Sequence, residues 1–103
     1  MKNNKEKHAD IIMENNQLIV SGELSLCNVM QLYEKSLAYM PQCETVAFDF
    51  AQVKSSDSAG LALIVEWVKC ARSLRKPITF SNISPQLSAV AKASGIEELI
   101  EHL

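Results

Sequence analysis

Histidine is scarce in this 103-residue chain: only His8 and His102 are present, one near each end. That placement argues against a Ser-His or Cys-His pair and against a histidine-based metal site, since both need the imidazole held beside its partners in the fold. Glycine is equally thin. Gly22, Gly60 and Gly95 stand alone, so neither a G-x-x-x-x-G-K-S/T loop nor a G-x-G-x-x-G turn can cradle a nucleotide phosphate. The three cysteines, Cys27, Cys43 and Cys70, are odd in number and widely spaced, which excludes a disulfide framework and a C-x-x-C metal pair and predicts reduced thiols. No basic excess exists either. Ten basic and twelve acidic residues leave a net charge of −2, without the stripe of positive charge that binding a phosphate backbone requires. The longest apolar run, Leu61 to Val65, falls far short of the ~20 residues that span a bilayer. The charged start, Met1 to Lys7, precedes no long apolar segment, which predicts neither a signal peptide nor an anchor and a cytoplasmic location. Together these absences predict a protein that is not an enzyme and has no catalytic residue, metal or cofactor of its own.

What is present is the composition of a folded domain. Hydrophobic residues make up 48% of the chain, and the length suits one core. We expect a flexible tail over residues 1–8 and a single domain over 9–103. Ala9 to Met13 and Gln17 to Ser21 are short Ile- and Val-rich runs separated by the polar turn Glu14-Asn15-Asn16, a hairpin pattern. Leu26, Val29, Leu32, Tyr33, Ser36, Leu37 and Met40 recur at helical spacing, with Ser25 as the expected cap and Pro41 beyond the end. Thr45 to Phe50 reads as a central strand in which Asp49 is the exception. Gln52 to Ser56 reads as a polar connection. The longest periodic segment follows, from about Ser58 to Leu74, ended by Lys76-Pro77. Ile78 to Phe80 forms a strand, and Ser84-Pro85 opens a helix that Gly95 closes. Ile96 to Leu103 predicts a short C-terminal helix. The order is therefore ββαβαβα plus that short helix, an α/β sheet whose late crossovers should be right-handed with parallel strands.

Ser55-Ser56-Asp57-Ser58-Ala59-Gly60-Leu61 joins a strand to the longest helix. Asp57 and Ser58 are both N-cap residue types, Gly60 allows close backbone approach, and the first-turn amides of a helix are free donors with partial positive charge. Such a segment suits a plain helix cap. It also suits a docking point for a partner's acidic or carbonyl group, or a serine whose phosphorylation would repel a partner. On the same helix, Leu61, Ile64, Val65 and Val68 form one apolar stripe and Leu63, Trp67, Cys70 and Leu74 an adjoining one, an arc too wide for a single sheet contact. The second stripe either packs on a neighbouring helix or, through Trp67, meets a protein partner.

Asp57-Ser58-Ala59-Gly60-Leu61, together with the Val46 to Phe50 strand and Ser21-Gly22-Glu23-Leu24, resembles the motif pattern of the STAS family over about Ala9 to Leu99. The resemblance implies a STAS (SpoIIAA-like) fold, a central mixed sheet of about four strands covered by about four helices. It also implies that Ser58 is the phosphorylated or partner-contacting hydroxyl, with Asp57, Ala59, Gly60 and Leu61 around the contact. The Gly60-Leu61-Ala62-Leu63 run and the Ser94 to Leu99 ending resemble the MlaB branch of that family. This implies a subunit that binds the MlaF-like ATPase of an ABC phospholipid transporter maintaining outer-membrane lipid asymmetry. It would sit at the inner face of the inner membrane through its partner, without inserting into the membrane itself. The sigma-regulator branch implies a different partner, an anti-sigma factor kinase, with phosphorylation of Ser58 ending the contact. An orphan scaffold that dimerises is a third reading. The chain departs from the pattern at Ser25, where the family often has aspartate, at Ser56, usually apolar, and at Ala59, usually serine or glycine.

Overall fold

A computed structural model describes residues 8–93. The expected tail over 1–8, apart from His8, the helix closure at Gly95 and the C-terminal helix from Ile96 all lie outside the described residues. Within them the order is β1 (Ala9–Glu14), β2 (Gln17–Leu24), α1 (Val29–Ser36), a 3₁₀ turn (Met40–Gln42), β3 (Val46–Ser56), α2 (Ser58–Ser73), β4 (Ile78–Ser81) and α3 (Pro85–Ala93). The ββαβαβα order of the sequence reading holds, with three α-helices among the described residues.

The four strands form one sheet in the order β1-β2-β3-β4. β1 and β2 run antiparallel, with Ile11 opposite Val20 and Met13 opposite Leu18. Their connection is a two-residue turn in which Asn15 and Asn16 both have positive φ, 54° and 65°, the geometry asparagine tolerates and tight hairpins require. β2–β3 and β3–β4 are parallel, as two crossovers through α1 and α2 demand.

Alternation along the strands decides which face is covered. Ile11, Leu18, Val20, Val46, Phe48, Phe50 and Ile78 turn inward and join Leu32 of α1, Leu63, Ile64, Trp67 and Val68 of α2, and Leu87 and Ala91 of α3 in one buried cluster. The neighbours that alternate with them, such as Ile12 and Ile19, lie outside that cluster. All three described helices therefore cover the same face of the sheet. α2 occupies the middle position: Phe48 stacks on Trp67 with ring centroids 4.0 Å apart, and Phe50 meets the same indole edge-on.

Two expectations change. Gln52 to Ser56 is not a loop but the second half of β3, paired to β2 through two register shifts, between Ile19 and Ser21 and between Gly22 and Glu23. Each shift leaves β3 one residue longer than its partner, so a polar run with no clean alternation still forms strand. The first helix is also shorter than its periodicity suggests. Ser25 to Asn28 make a turn closed by the Asn28 and Val29 amides on the Ser25 carbonyl, and α1 starts only at Val29 with Asn28 as N-cap residue. Ser25 does not cap through its hydroxyl. The Asn28 side chain ties this turn instead, accepting from the Ser25 amide at 3.0 Å and donating to the Glu23 carbonyl at 2.7 Å. In consequence Leu26, placed inward by periodicity, stands 81% exposed in the turn, and at the other end of α1 Leu37, also placed inward, is 41% exposed beside the buried Ser36.

Candidate functional site

The Asp57–Leu61 segment is built where β3 ends beside β2. Leu24 is paired with Ser56, and the Asp57 amide donates to the Leu24 carbonyl at 3.1 Å, which anchors the strand-to-helix corner to the neighbouring strand. Asp57 is still extended at φ −97°, ψ −167°, and its carboxylate accepts from the Ala59 amide at 2.8 Å. This is a genuine N-cap that occupies one of the otherwise unpaired first-turn donors. A second donor, the Gly60 amide, is taken by the Asp57 carbonyl at 3.0 Å, which also accepts from the Ser56 hydroxyl at 3.0 Å.

Gly60 is glycine for a steric reason. A Cβ there would lie 1.9 Å from Ser56 Oγ, 3.2 Å from Ser56 Cβ and 3.3 Å from Leu24 Cβ, so the helix start can press onto the ends of β2 and β3 only without a side chain. The outcome is a tight corner with Asp57 and Ser58 on the outside, both exposed, and Ala59, Gly60 and Leu61 turned under it. Ser58 is the first helical residue, and on the next turn the exposed Ala62 continues its stripe.

Of the six residues named from sequence for partner contact, the structure gathers five at this corner, leaves Asp57 and Ser58 exposed there, and buries Ala59, Gly60, Leu61 and, further along the helix, Trp67. Leu61 is 7% exposed and part of the core. Trp67 is corrected as a docking residue: it is 0% exposed, stacked on Phe48, with its indole N–H donating to Ser36 Oγ at 2.8 Å. The wide apolar arc of α2 reflects its middle position, with sheet beneath and a helix on either side. Asp49, the exception within β3, is satisfied at the strand itself and by the segment after β4, its Oδ1 accepting from the Ala51 amide at 2.9 Å and from Asn82 Nδ2 at 2.8 Å.

Sequence periodicity missed the exposed apolar surface of α1. Met30 is 72% exposed and stands with Leu26 and Leu37 among the exposed large hydrophobics. The available signal was that α1 carries apolar residues at successive positions Val29 and Met30, more than one inward stripe of so short a helix can bury. Among the described residues no group of three or more His, Cys, Asp or Glu could hold a metal ion, and no helix is long and apolar enough to cross a membrane.

The family model described as Mlab, STAS domain, matches residues 9–101. Comparison with curated protein sequences gives no match. Among solved structures, the chain is similar to one in the Acinetobacter MlaFEDB complex in the ATP-bound Vtrans2 conformation, with 23% identity over 84% of this chain and 92% of that one and a TM-score of 0.70. It is similar also to the anti-sigma factor antagonist SpoIIAA in its unphosphorylated form, 20% identical over 90% of this chain and 85% of that one, TM-score 0.69. The phosphorylated form of SpoIIAA, the Bacillus cell fate determinant, aligns at 20% identity over 90% and 88% of the two chains with a TM-score of 0.66. At these identities the likeness carries the fold and leaves the partner open.

Proposed function

Because this chain belongs to the STAS domain family, in the branch described as Mlab, we propose that it is a non-enzymatic accessory subunit that binds the MlaF-like ATPase of an ABC phospholipid transporter. Through that partner it would sit at the inner face of the inner membrane and support lipid asymmetry of the outer membrane. The observation that carries the reading is the corner itself. Ser58 is exposed at the first position of α2 while Asp57 is committed to capping the Ala59 amide, so one hydroxyl is presented on a backbone that the cap and Gly60 hold in place. The match to the MlaB branch over residues 9–101 and the likeness to a chain of the MlaFEDB complex support an ABC ATPase as the protein that meets it.

A second reading has a specific observation in its favour. Ser58 is as accessible to a kinase as to a docking partner, and the SpoIIAA folds align almost as well as the MlaFEDB chain. Under this reading the protein is an anti-sigma factor antagonist, and about two negative charges added at Ser58 end the contact.

Affinity purification of the tagged protein from its native cell separates the two. We expect an ABC-class ATPase to co-purify, and we expect Ser58→Asp or Ala62→Arg to reduce its recovery about tenfold or more with the circular dichroism of the variants unchanged. Both positions are exposed, unlike the buried Leu61, where arginine would disturb the core. Recovery of a histidine-kinase-like ATPase or a sigma regulator in place of the ABC ATPase would overturn the transporter reading in favour of the second.

A further inference from the structure

Between α1 and α2 the surface opens into a groove of about 520 Å³. Val29 and Tyr33 of α1 and Leu63 of α2 form its floor, and Met30, Leu37 and Ala62 stand along its sides. Met30 and Leu37 are left uncovered there, 72% and 41% exposed, which is costly surface for an isolated domain and ordinary surface for a docking site. Its charges have one sign. Glu34 of α1 and Glu66 of α2 both line the groove, and no lysine or arginine does. Lys69 approaches Glu66 at 3.5 Å, but both side chains are more than half exposed, so the pairing leaves most of the negative field in place. Burial, and after it Cys70 and Glu66, push the Tyr33 phenol above its ordinary value.

An apolar trough flanked by carboxylates selects among occupants. A second copy of this chain, docking the same face on itself, would bring the Glu34 and Glu66 carboxylates towards their own equivalents, which like-charge repulsion disfavours. A helical segment with aliphatic side chains on one face and lysine or arginine beside them fills the trough and neutralises its rims. The groove also reaches Ala62, one turn beyond Ser58 on the same exposed stripe, so one partner can engage both.

We propose that the α1–α2 groove receives an amphipathic, basic helical segment of the partner, whose aliphatic side chains enter between Met30, Leu37 and Ala62 while a lysine or arginine pairs with Glu34 and Glu66. The identification of that partner as an ABC ATPase rests on the docking reading of Ser58; the chemistry of the occupant does not.

The test uses the full chain labelled for amide NMR and two synthetic helical peptides with the same leucine pattern, one carrying lysine and one glutamate at the flanking positions. The lysine probe should bind about tenfold more tightly than the glutamate probe and shift the Val29, Met30, Leu37 and Ala62 amides. In the Glu34→Gln/Glu66→Gln variant, both sites being exposed, that preference should fall to about threefold or less. Equal affinity for the two probes, shifts confined to the open face of the sheet, or equal occupation of the groove by a dodecyl chain would overturn the proposal. In the native-cell purification, Glu34→Lys/Glu66→Lys should release the ATPase. Release by Ser58→Asp but not by this charge reversal would sink the groove and leave the docking reading standing. Selection of the lysine probe by the groove with no ABC ATPase recovered would do the reverse.

Discussion

At the scale of single residues, Gly60 is where the local and the tertiary requirements conflict. Glycine inside the first turn of a helix costs about 1 kcal/mol relative to alanine, and a helix-propensity view would replace it. The structure opposes that change, because a Cβ at this position meets Ser56 Oγ at 1.9 Å and two carbons at 3.2 and 3.3 Å. We expect Gly60→Ala to lower the melting temperature despite the propensity gain, with a net loss of about 1–3 kcal/mol as for other overpacked sites. Adding Ser56→Gly should recover most of it. A melting temperature equal to or above the parent in the single variant would show that the Ser56 side chain swings aside at no cost. Gly22 is a different case, with φ at +91° and its missing Cβ pointing at the His8 carbonyl 2.0 Å away, so its backbone conformation as well as its space calls for glycine.

At the scale of elements, α1 and α2 are joined by more than apolar contact. Trp67 is the largest fully buried side chain, and its one polar atom is satisfied across the helix pair by Ser36 Oγ at 2.8 Å, while Ser36 donates onward to the Tyr33 carbonyl at 2.6 Å. Ser36 is itself 0% exposed, so no water can stand in for it at the surface. Ser36→Ala should therefore leave a buried indole N–H unpaired and cost about 1–3 kcal/mol, read as a shift in the urea midpoint with the slope unchanged. Ser36→Ala combined with Trp67→Phe should cost less than the sum of the two changes, since the second removes the orphaned donor. Strict additivity would mean that the hydrogen bond contributes nothing.

At the scale of the whole molecule, the described helices all lie on one face of the sheet, and adjacent residues of one strand have opposite fates. Ile11 is 0% exposed and Ile12 is 46% exposed. Ile11→Ala should cost about 2–5 kcal/mol, the range for buried aliphatic truncation, whereas Ile12→Ala should change stability by about 0.5 kcal/mol or less. Chemical denaturation of the two variants measures the difference, and equal losses would show that the second face of the sheet is covered as fully as the first.

Much of the fold was legible in the residues because periodicity and turn chemistry are local. The Asn15-Asn16 turn, the inward alternation of Val46, Phe48 and Phe50, and the cap at Asp57 each follow from interactions within a few residues. What the sequence could not display were relations between segments far apart in the chain. Gln52 to Ser56 became strand only because β2 lies alongside and absorbs two register shifts. Trp67 went to the interior, and not to a partner, because α1 and the sheet close over it with Ser36 in reach of its N–H. Leu26 went outward because the Asn28 turn delays the start of α1. The carboxylates of Glu34 and Glu66 flank one groove because two helices pack side by side. By itself the sequence determined the order of the elements and the capped helix start at Asp57, since those depend on near neighbours. The tertiary structure alone decided which face of each helix stayed open, because burial is set by what lies across the interface and not along the chain.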